Sequence, residues 1–259
     1  MKVVLFCGGL GMRLRDYSDK VPKPMVEIGY RPILWHVMKY YAAHGHKDFI
    51  LCLGYKADYI KDYFVNYDEY VSNDFVLQRG GGMTLLNEDI HDWNITFCDT
   101  GYSSCIGERL RRVRAHLDGE EMFLANYSDN LTDFPLPDLI SEVERTGSYA
   151  GFVAVQPPHS FHVVHIDGQG QVSGLQETRH SGLRINGGYF VLRNEIFDYM
   201  NENEELVIEP FQRLIEERKL LAMPYDGFWQ NMDTFKDRTL LHELHAEGAA
   251  PWQVWNDKS

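Results

Sequence analysis

Four short apolar runs set the strongest limit on what this chain can fold into. They are VVLF (3–6), DFILCL (48–53), NITFC (94–98) and MFLANY (122–127), and they read as strands buried on both faces, as in a parallel sheet. Helical spacing fills the intervals between them. Pro32–His44 has it and ends at Gly45, a usual place for a left-handed cap, and Lys56–Phe64 and Glu108–His116 also fit helices. Strand and helix in alternation predict an α/β fold with a doubly wound, mostly parallel sheet, Rossmann-like in form. Ligands of such a sheet bind beyond the carboxyl ends of its strands.

After Pro135 the pattern changes. YAGFVAVQ leads into HVVHI-DGQG-QVSGLQ, where Asp167–Gly170 is a hairpin turn, and NGGYFVL supplies a further strand. Helical patterns return at Glu209–Lys219 and Phe235–Ala246. The second half therefore reads as a small antiparallel appendage folded onto the same sheet. With no linker, internal repeat or low-complexity segment, the expectation is one domain over residues 1–259.

Composition narrows the partners. Twenty-five basic residues against 38 acidic ones give a net charge of −13, which disfavours nucleic acid and an anionic membrane as main partners. Phosphates can still bind where positive charge is concentrated locally. The chain holds no run of about 18 apolar residues and no signal-like N-terminus, so neither a membrane span nor secretion is expected. Cys7, Cys52, Cys98 and Cys105 form no C-x-x-C pair and no zinc-ligand spacing. Buried reduced thiols and a cytoplasmic location are the expectation.

The stretch FCGGLGMRLRDYSDKVPKPM follows the first strand directly. A loop there can turn its backbone N–H groups into an anion-binding nest, and Gly8, Gly9 and Gly11 allow a phosphate to approach closely. It is not a dinucleotide fingerprint, because Leu14 stands at the third glycine position, nor a Walker A loop, because Gly-Lys-Ser/Thr is missing. What remains is G-G-x-G-x-R, nine residues, then K-P. Arg13 offers a planar fork for phosphate oxygens, and Lys23 a point charge that can follow a moving phosphoryl group. Pro22 and Pro24 stiffen the backbone around Lys23. Either piece alone fits a glycine-rich turn with two solvated cations; the joined pattern is far more specific.

GGLGMRL and KPMVEIGYRPILWHVMKYY together resemble the signature of the sugar-1-phosphate nucleotidyltransferases, or NDP-sugar pyrophosphorylases. DTGYSSCIGERLRRV, INGGYFVL, GFWQNMDTFKD and the tail APWQVW are similar to glucose-1-phosphate cytidylyltransferases within that family, and the resemblance runs from Met1 to about Asn256. It implies transfer of a nucleotidyl group from CTP to a sugar 1-phosphate, with release of pyrophosphate, and a homo-oligomer. Residues 1–135 would then be mainly the nucleotide half and 136–259 mainly the acceptor half. The resemblance implies Arg13 and Lys23 as catalytic residues, and Mg²⁺ held by Asp129 and Asp233. It implies nucleotide contacts at Gly8, Gly9, Gly11, Met12, Arg13, Cys105, Ile106, Gly107 and Ser128. It implies acceptor contacts at Tyr127, His162, Glu177, Thr178, Arg179, Asn186 and Gly187. On the residues alone, either aspartate also reads as a cap or turn residue, Asp233 as an N-cap, and Asp133 reads as a surface turn residue.

Three departures stand out. Where the family has Glu-Lys-Pro, this chain has Glu177, Thr178 and Arg179, so a lysine expected on the sugar phosphate is missing; Arg179 or Arg184 is the candidate replacement. His162 replaces a glycine expected beside the sugar ring, and Ser128 replaces the glycine before Asp129. His159, His162 and His165 invite a zinc reading, which the alternation of faces along a strand argues against. Alternatives stay open at this point: UTP or dTTP as the nucleotide, a non-glucose phosphate or phosphonate as acceptor, or a catalytically silent nucleotide-sugar-binding regulator. A glycosyltransferase is weaker, for want of a convincing D-x-D motif.

Overall fold

The computed structural model describes residues 1–9, 21–158 and 161–256. Its centre is one sheet built from β1 (Val3–Phe6), β2 (Asp48–Leu53), β3 (Asn94–Asp99), β4 (Met122–Tyr127), β5 (Ala150–Val155), β6 (Phe190–Arg193) and β7 (Leu220–Tyr225). Their spatial order is β3-β2-β1-β4-β6-β5, with β7 against the other edge of β5. β1 pairs in parallel with both β2 and β4, and only β6 runs against its neighbours. The order reverses at β1, so the crevice for a ligand opens beyond the carboxyl ends of β1 and β4.

Alternation along the strands explains the two covered faces. Val3 and Leu5 point into one core with α1 (Ile33–Ala43), while Val4 and Phe6 point into the other with α3 (Ile106–Arg112). Between these lies α2 (Ala57–Val65), whose Ile60 joins the first core. The first face also takes α4 (Leu136–Thr146) and α6 (Phe235–Ala246); the second takes α5 (Glu209–Glu216). All four apolar runs of the sequence are strands of this sheet, but β3 is its edge strand and none of its residues is fully buried, against the expectation of burial on both faces. Gly45 does follow α1 in the left-handed region, at φ 87°. The helix expected to reach Lys219 stops sooner because Arg218 turns left-handed at φ 57°, and the Lys219 N–H returns to the Leu214 carbonyl at 2.8 Å.

More of the second half lies in the main sheet than the turn pattern indicates. β5 and β7 extend it with parallel pairing, and β6 bridges them to β4 in the opposite sense. The separate appendage is the hairpin of His162–Ile166 and Val172–Glu177, with Gly170 at φ 82° in its turn. Just before β6, Ile185–Asn186 also pairs with β5, and Gly187 and Gly188 form a bulge between the two pairings. Five steps from Asn186 to Val191 face three from Gly151 to Ala154. Gly188 needs its missing side chain there, because at φ +77° a Cβ would lie 2.4 Å from Asn126 Oδ1.

Candidate active site

Lys23 opens a tight turn, Lys23–Met25, whose flanking Pro22 and Pro24 are both buried. The Met25 N–H closes on the Pro22 carbonyl at 2.8 Å, so the lysine backbone is fixed and its ammonium is aimed. It donates to Asp129 Oδ2 at 2.5 Å and to Asp233 Oδ1. Burial acts to lower the lysine pKa, but the Asp129 and Asp233 carboxylates outweigh it and hold the pKa above the ordinary lysine value.

Local pairing brings these distant residues together. Asp129 follows β4 and begins a short strand, Asn130–Thr132, that pairs antiparallel with Trp229–Asn231, Asn130 opposite Asn231. The Met232 N–H then donates to the Asp129 carbonyl at 2.9 Å, which sets Asp233 beside Asp129. Asp233 is not the N-cap of α6. Thr234 is, with its hydroxyl accepting from the Asp237 N–H while the Asp237 carboxylate accepts from the Thr234 N–H, a capping box that leaves the Asp233 carboxylate for the crevice. Asn231 Nδ2 donates to its second oxygen at 2.8 Å.

The two carboxylates keep 26% and 25% exposure, enough for a ligand to reach them. Among the described residues no group of three or more His, Cys, Asp or Glu converges. The metal-binding chemistry on offer is thus a pair of hard carboxylates, a donor set that suits Mg²⁺ when phosphate oxygens and water complete its shell.

The carboxyl ends of β1, β2 and β3 are tied by a residue assigned no separate role in the sequence reading. Arg109 of α3, 2% exposed, donates to the carbonyls of Gly8 at 2.9 Å and Leu53 at 3.1 Å, and to Thr100 Oγ1 at 2.8 Å. A Cβ on Gly8 would lie 2.0 Å from Arg109 Nη1, so this glycine is needed for the guanidinium beneath the loop. Gly107 is needed likewise against the Glu204 carbonyl, 2.3 Å from its notional Cβ. Cys105 Sγ contacts that same carbonyl at 3.0 Å, and Glu205 accepts from the Ile106 N–H at 3.3 Å. Ser128 is buried and donates to the Phe6 carbonyl at 2.9 Å, pinning the start of the Asp129 loop to β1. Burial pushes the Cys7 thiol up to about 12, which makes it inert.

On the acceptor side the structure joins some expected residues and separates others. Asn186 Nδ2 donates to the Tyr127 hydroxyl at 3.3 Å, and the Gly187 carbonyl takes Trp229 Nε1 at 2.8 Å. His162 and Glu177 stand opposite each other, exposed, on the separate hairpin. Thr178 is buried and donates its hydroxyl to the Phe161 carbonyl at 2.6 Å, closing the hairpin base. Arg184 is held by Asp226 at 2.8 Å and by the Tyr225 carbonyl at 3.0 Å. Asp133 is half-buried, accepting from the Tyr225 hydroxyl at 2.5 Å and the Phe228 N–H at 2.9 Å, and so is a tie between loops instead of a surface turn residue. Gly11, Met12 and Arg13 lie outside the described residues, as does the side chain of Arg179.

Comparison with known proteins decides the family. The family model described as "Nucleotidyl transferase" matches residues 2–247. The chain belongs to that family. This nucleotidyltransferase is 41% identical, over 98% of its own length and 100% of the relative's, to a glucose-1-phosphate cytidylyltransferase of Salmonella typhi. It is 34% identical over the same shares to a probable glucose-1-phosphate cytidylyltransferase of Bacillus subtilis. Its fold matches HddC from Yersinia pseudotuberculosis with a TM-score of 0.67 and 21% identity, covering 94% of this chain and 99% of that one. A UDP-glucose pyrophosphorylase complexed with UDP-glucose matches with a TM-score of 0.68 and 15% identity, over 95% and 98%. Among the described residues of the nucleotidyltransferase, no helix is long and apolar enough to cross a membrane.

Proposed function

We propose that this nucleotidyltransferase joins CTP to a sugar 1-phosphate, giving a CDP-sugar and pyrophosphate with Mg²⁺ as cofactor. One observation carries the reading: Lys23 lies between two carboxylates, Asp129 and Asp233, at the switch point of the sheet. A mere nucleotide binder has little need of an aimed ammonium and two converging carboxylates in a crevice. The choice of CTP rests on the relatives named as glucose-1-phosphate cytidylyltransferases.

A phosphate oxygen of the sugar attacks the α-phosphorus in line, a bond forms there, and the bond to the β-phosphate breaks to release pyrophosphate. Little covalent work falls to the protein, so positioning and charge neutralisation dominate. Gly8 and Gly9 bring backbone close to the phosphates, Arg13 and Lys23 offset their charge, and Cys105, Ile106 and Gly107 border the base. Mg²⁺ held by Asp129 and Asp233 would supply further neutralisation of phosphate oxygens. Tyr127, Asn186 and Gly187 border the acceptor. The free thiols favour a reducing, cytoplasmic setting, and the exposed apolar residues Val76, Leu77 and Met83, on a second hairpin formed by Phe75–Leu77 and Met83–Leu85, favour a homo-oligomer.

A second reading of the acceptor has its own support. Thr178, in place of the expected lysine, is committed to the Phe161 carbonyl, and Arg184 to Asp226. With Thr178 and Arg184 so engaged, these contacts support an acceptor differing from plain glucose 1-phosphate, a modified sugar phosphate or a phosphonate. The test is pyrophosphate release with Mg²⁺, crossing CTP, UTP, dTTP, ATP and GTP with glucose 1-phosphate and other sugar phosphates. Turnover of CTP with glucose 1-phosphate and no preference for analogues supports the first reading and sinks the remodelled acceptor. Turnover only with another acceptor supports the second. Silence with every pair would sink the sugar-phosphate readings and leave either an acceptor outside this set or a nucleotide-sugar-binding regulator.

A further inference from the structure

The Lys23 ammonium lies between the two carboxylates that a divalent ion would use. Its backbone is fixed by Pro22 and Pro24, and at 13% exposure the side chain is largely shielded from solvent. The backbones of both aspartates are held as well, through the Met232 N–H on the Asp129 carbonyl and the Asp237 carboxylate on the Asp233 N–H at 3.1 Å, and Asn231 Nδ2 donates to Asp233 Oδ2 at 2.8 Å. The lysine side chain can leave on its flexible four-carbon stem. Ammonium and metal therefore compete for the same oxygens.

We propose that Lys23 is a lock on the acidic pair: it satisfies Asp129 and Asp233 in the free enzyme, keeps metal ions off them, and yields only to a metal that arrives with a triphosphate. This rests on the Mg²⁺ reading given above. One positive charge among two negative ones holds the pair together without nucleotide. A triphosphate gives the ammonium a more strongly anionic partner while its own metal takes over the carboxylates, so the lysine moves from carboxylate to phosphate and both aspartates keep a cationic neighbour at either stage. Metal and nucleotide then bind with positive coupling, and linkage makes that coupling reciprocal. The lock reduces the apparent metal affinity by the fraction of time the pair is free.

The experiment uses Mn²⁺ and the full chain, with binding read by water-proton relaxation enhancement, so that turnover plays no part. Wild type without nucleotide should bind Mn²⁺ weakly, and Lys23→Met should bind it about tenfold to a hundredfold more tightly. Lys23→Gln, whose amide can still donate to one carboxylate, serves if the methionine variant does not fold. Lys23→Arg, which keeps the charge, should stay as weak as wild type. A non-hydrolysable CTP analogue should tighten Mn²⁺ binding in wild type, and adding Asp129→Asn should abolish the tight site in every form. Neutral variants that bind Mn²⁺ no more tightly than wild type would overturn the lock. If wild type with nucleotide nevertheless binds Mn²⁺ in an Asp129-dependent way, the metal reading survives that failure. If no form has an Asp129-dependent site, both fall together.

Discussion

Acid should loosen this protein through one buried histidine, His36 in the first turn of α1. Only 1% of it is exposed, and both ring nitrogens are engaged: Nε2 lies 3.0 Å from the Ile28 carbonyl and Nδ1 accepts from Trp252 Nε1 at 3.3 Å. Those partners select the neutral tautomer with its proton on Nε2, since protonating Nδ1 would set it against the indole N–H. Burial, aided by His245 and Arg31 and opposed by the Ile28 carbonyl, lowers the pKa from 6.5 to about 4. The sign follows from linkage. Between those two values the unfolded chain binds a proton that the folded one refuses, so stability falls as pH falls through that window and is untouched above it. At about pH 4.5 the loss comes to roughly 2.5 kcal/mol, a large part of the ~5–15 kcal/mol typical of a domain. His36→Gln keeps an amide donor for Ile28 and an oxygen for Trp252 but cannot titrate. Urea unfolding, followed by circular dichroism from neutral pH downward, gives the difference in stability between wild type and variant. That difference should fall by about 2 to 3 kcal/mol on acidification, because the other titrating groups cancel in it. A difference independent of pH would refute the argument.

Three further outcomes are expected. Lys23→Ala and Asp129→Asn should each cut turnover by about a hundredfold or more while circular dichroism is unchanged; wild-type rates in either would remove that residue from the chemistry. Arg109→Met strips the donor from the Gly8 and Leu53 carbonyls and from Thr100, so thermal unfolding should register a loss of about 3 kcal/mol and the KM for nucleotide should rise. An unchanged KM would separate the ends of the strands from nucleotide binding. Gly188→Ala should cost more stability than Gly45→Ala, since both have positive φ but only the first places its new Cβ against Asn126, at 2.4 Å; equal costs in chemical denaturation would show that the bulge relaxes.

The strands were legible because a buried run of β-branched and aromatic residues has few alternatives, and the crevice followed from their alternation with helices. Lys23 was legible as an aimed cation from its two prolines. Where sequence reasoning fell short, the missing information was a long-range partner. Asp133 looks like a turn aspartate until Tyr225 and Phe228, more than ninety residues later, are seen to donate to it. Arg109 looks like one of several basic residues on an amphipathic helix, and nothing local marks it as the one that turns inward to Gly8. For Asp233 a local signal did exist. The spacing of Thr234 and Asp237 spells a capping box, which makes Thr234 and not Asp233 the N-cap.

The same distinction explains why the two halves of the site differ in legibility. On the nucleotide side the proposed chemistry uses backbone and charge at strand ends, and the fold fixes where strand ends go. Sequence motifs there amount to coordinates once the strand order is known. On the acceptor side Tyr127, Asn186 and Gly187 belong to the main sheet, but His162 and Glu177 sit on a hairpin that, among the described residues, pairs with itself and is largely exposed on both strands. A two-stranded ribbon is marginal alone, so its position is set by what it packs against more than by its own sequence. The change to Thr178 illustrates the point: a side chain expected to carry charge to a substrate has become the hydrogen bond that closes the ribbon. On the proposed reading, substrate choice can therefore drift through such a hairpin while Lys23, Asp129 and Asp233 stay paired with one another at the crevice.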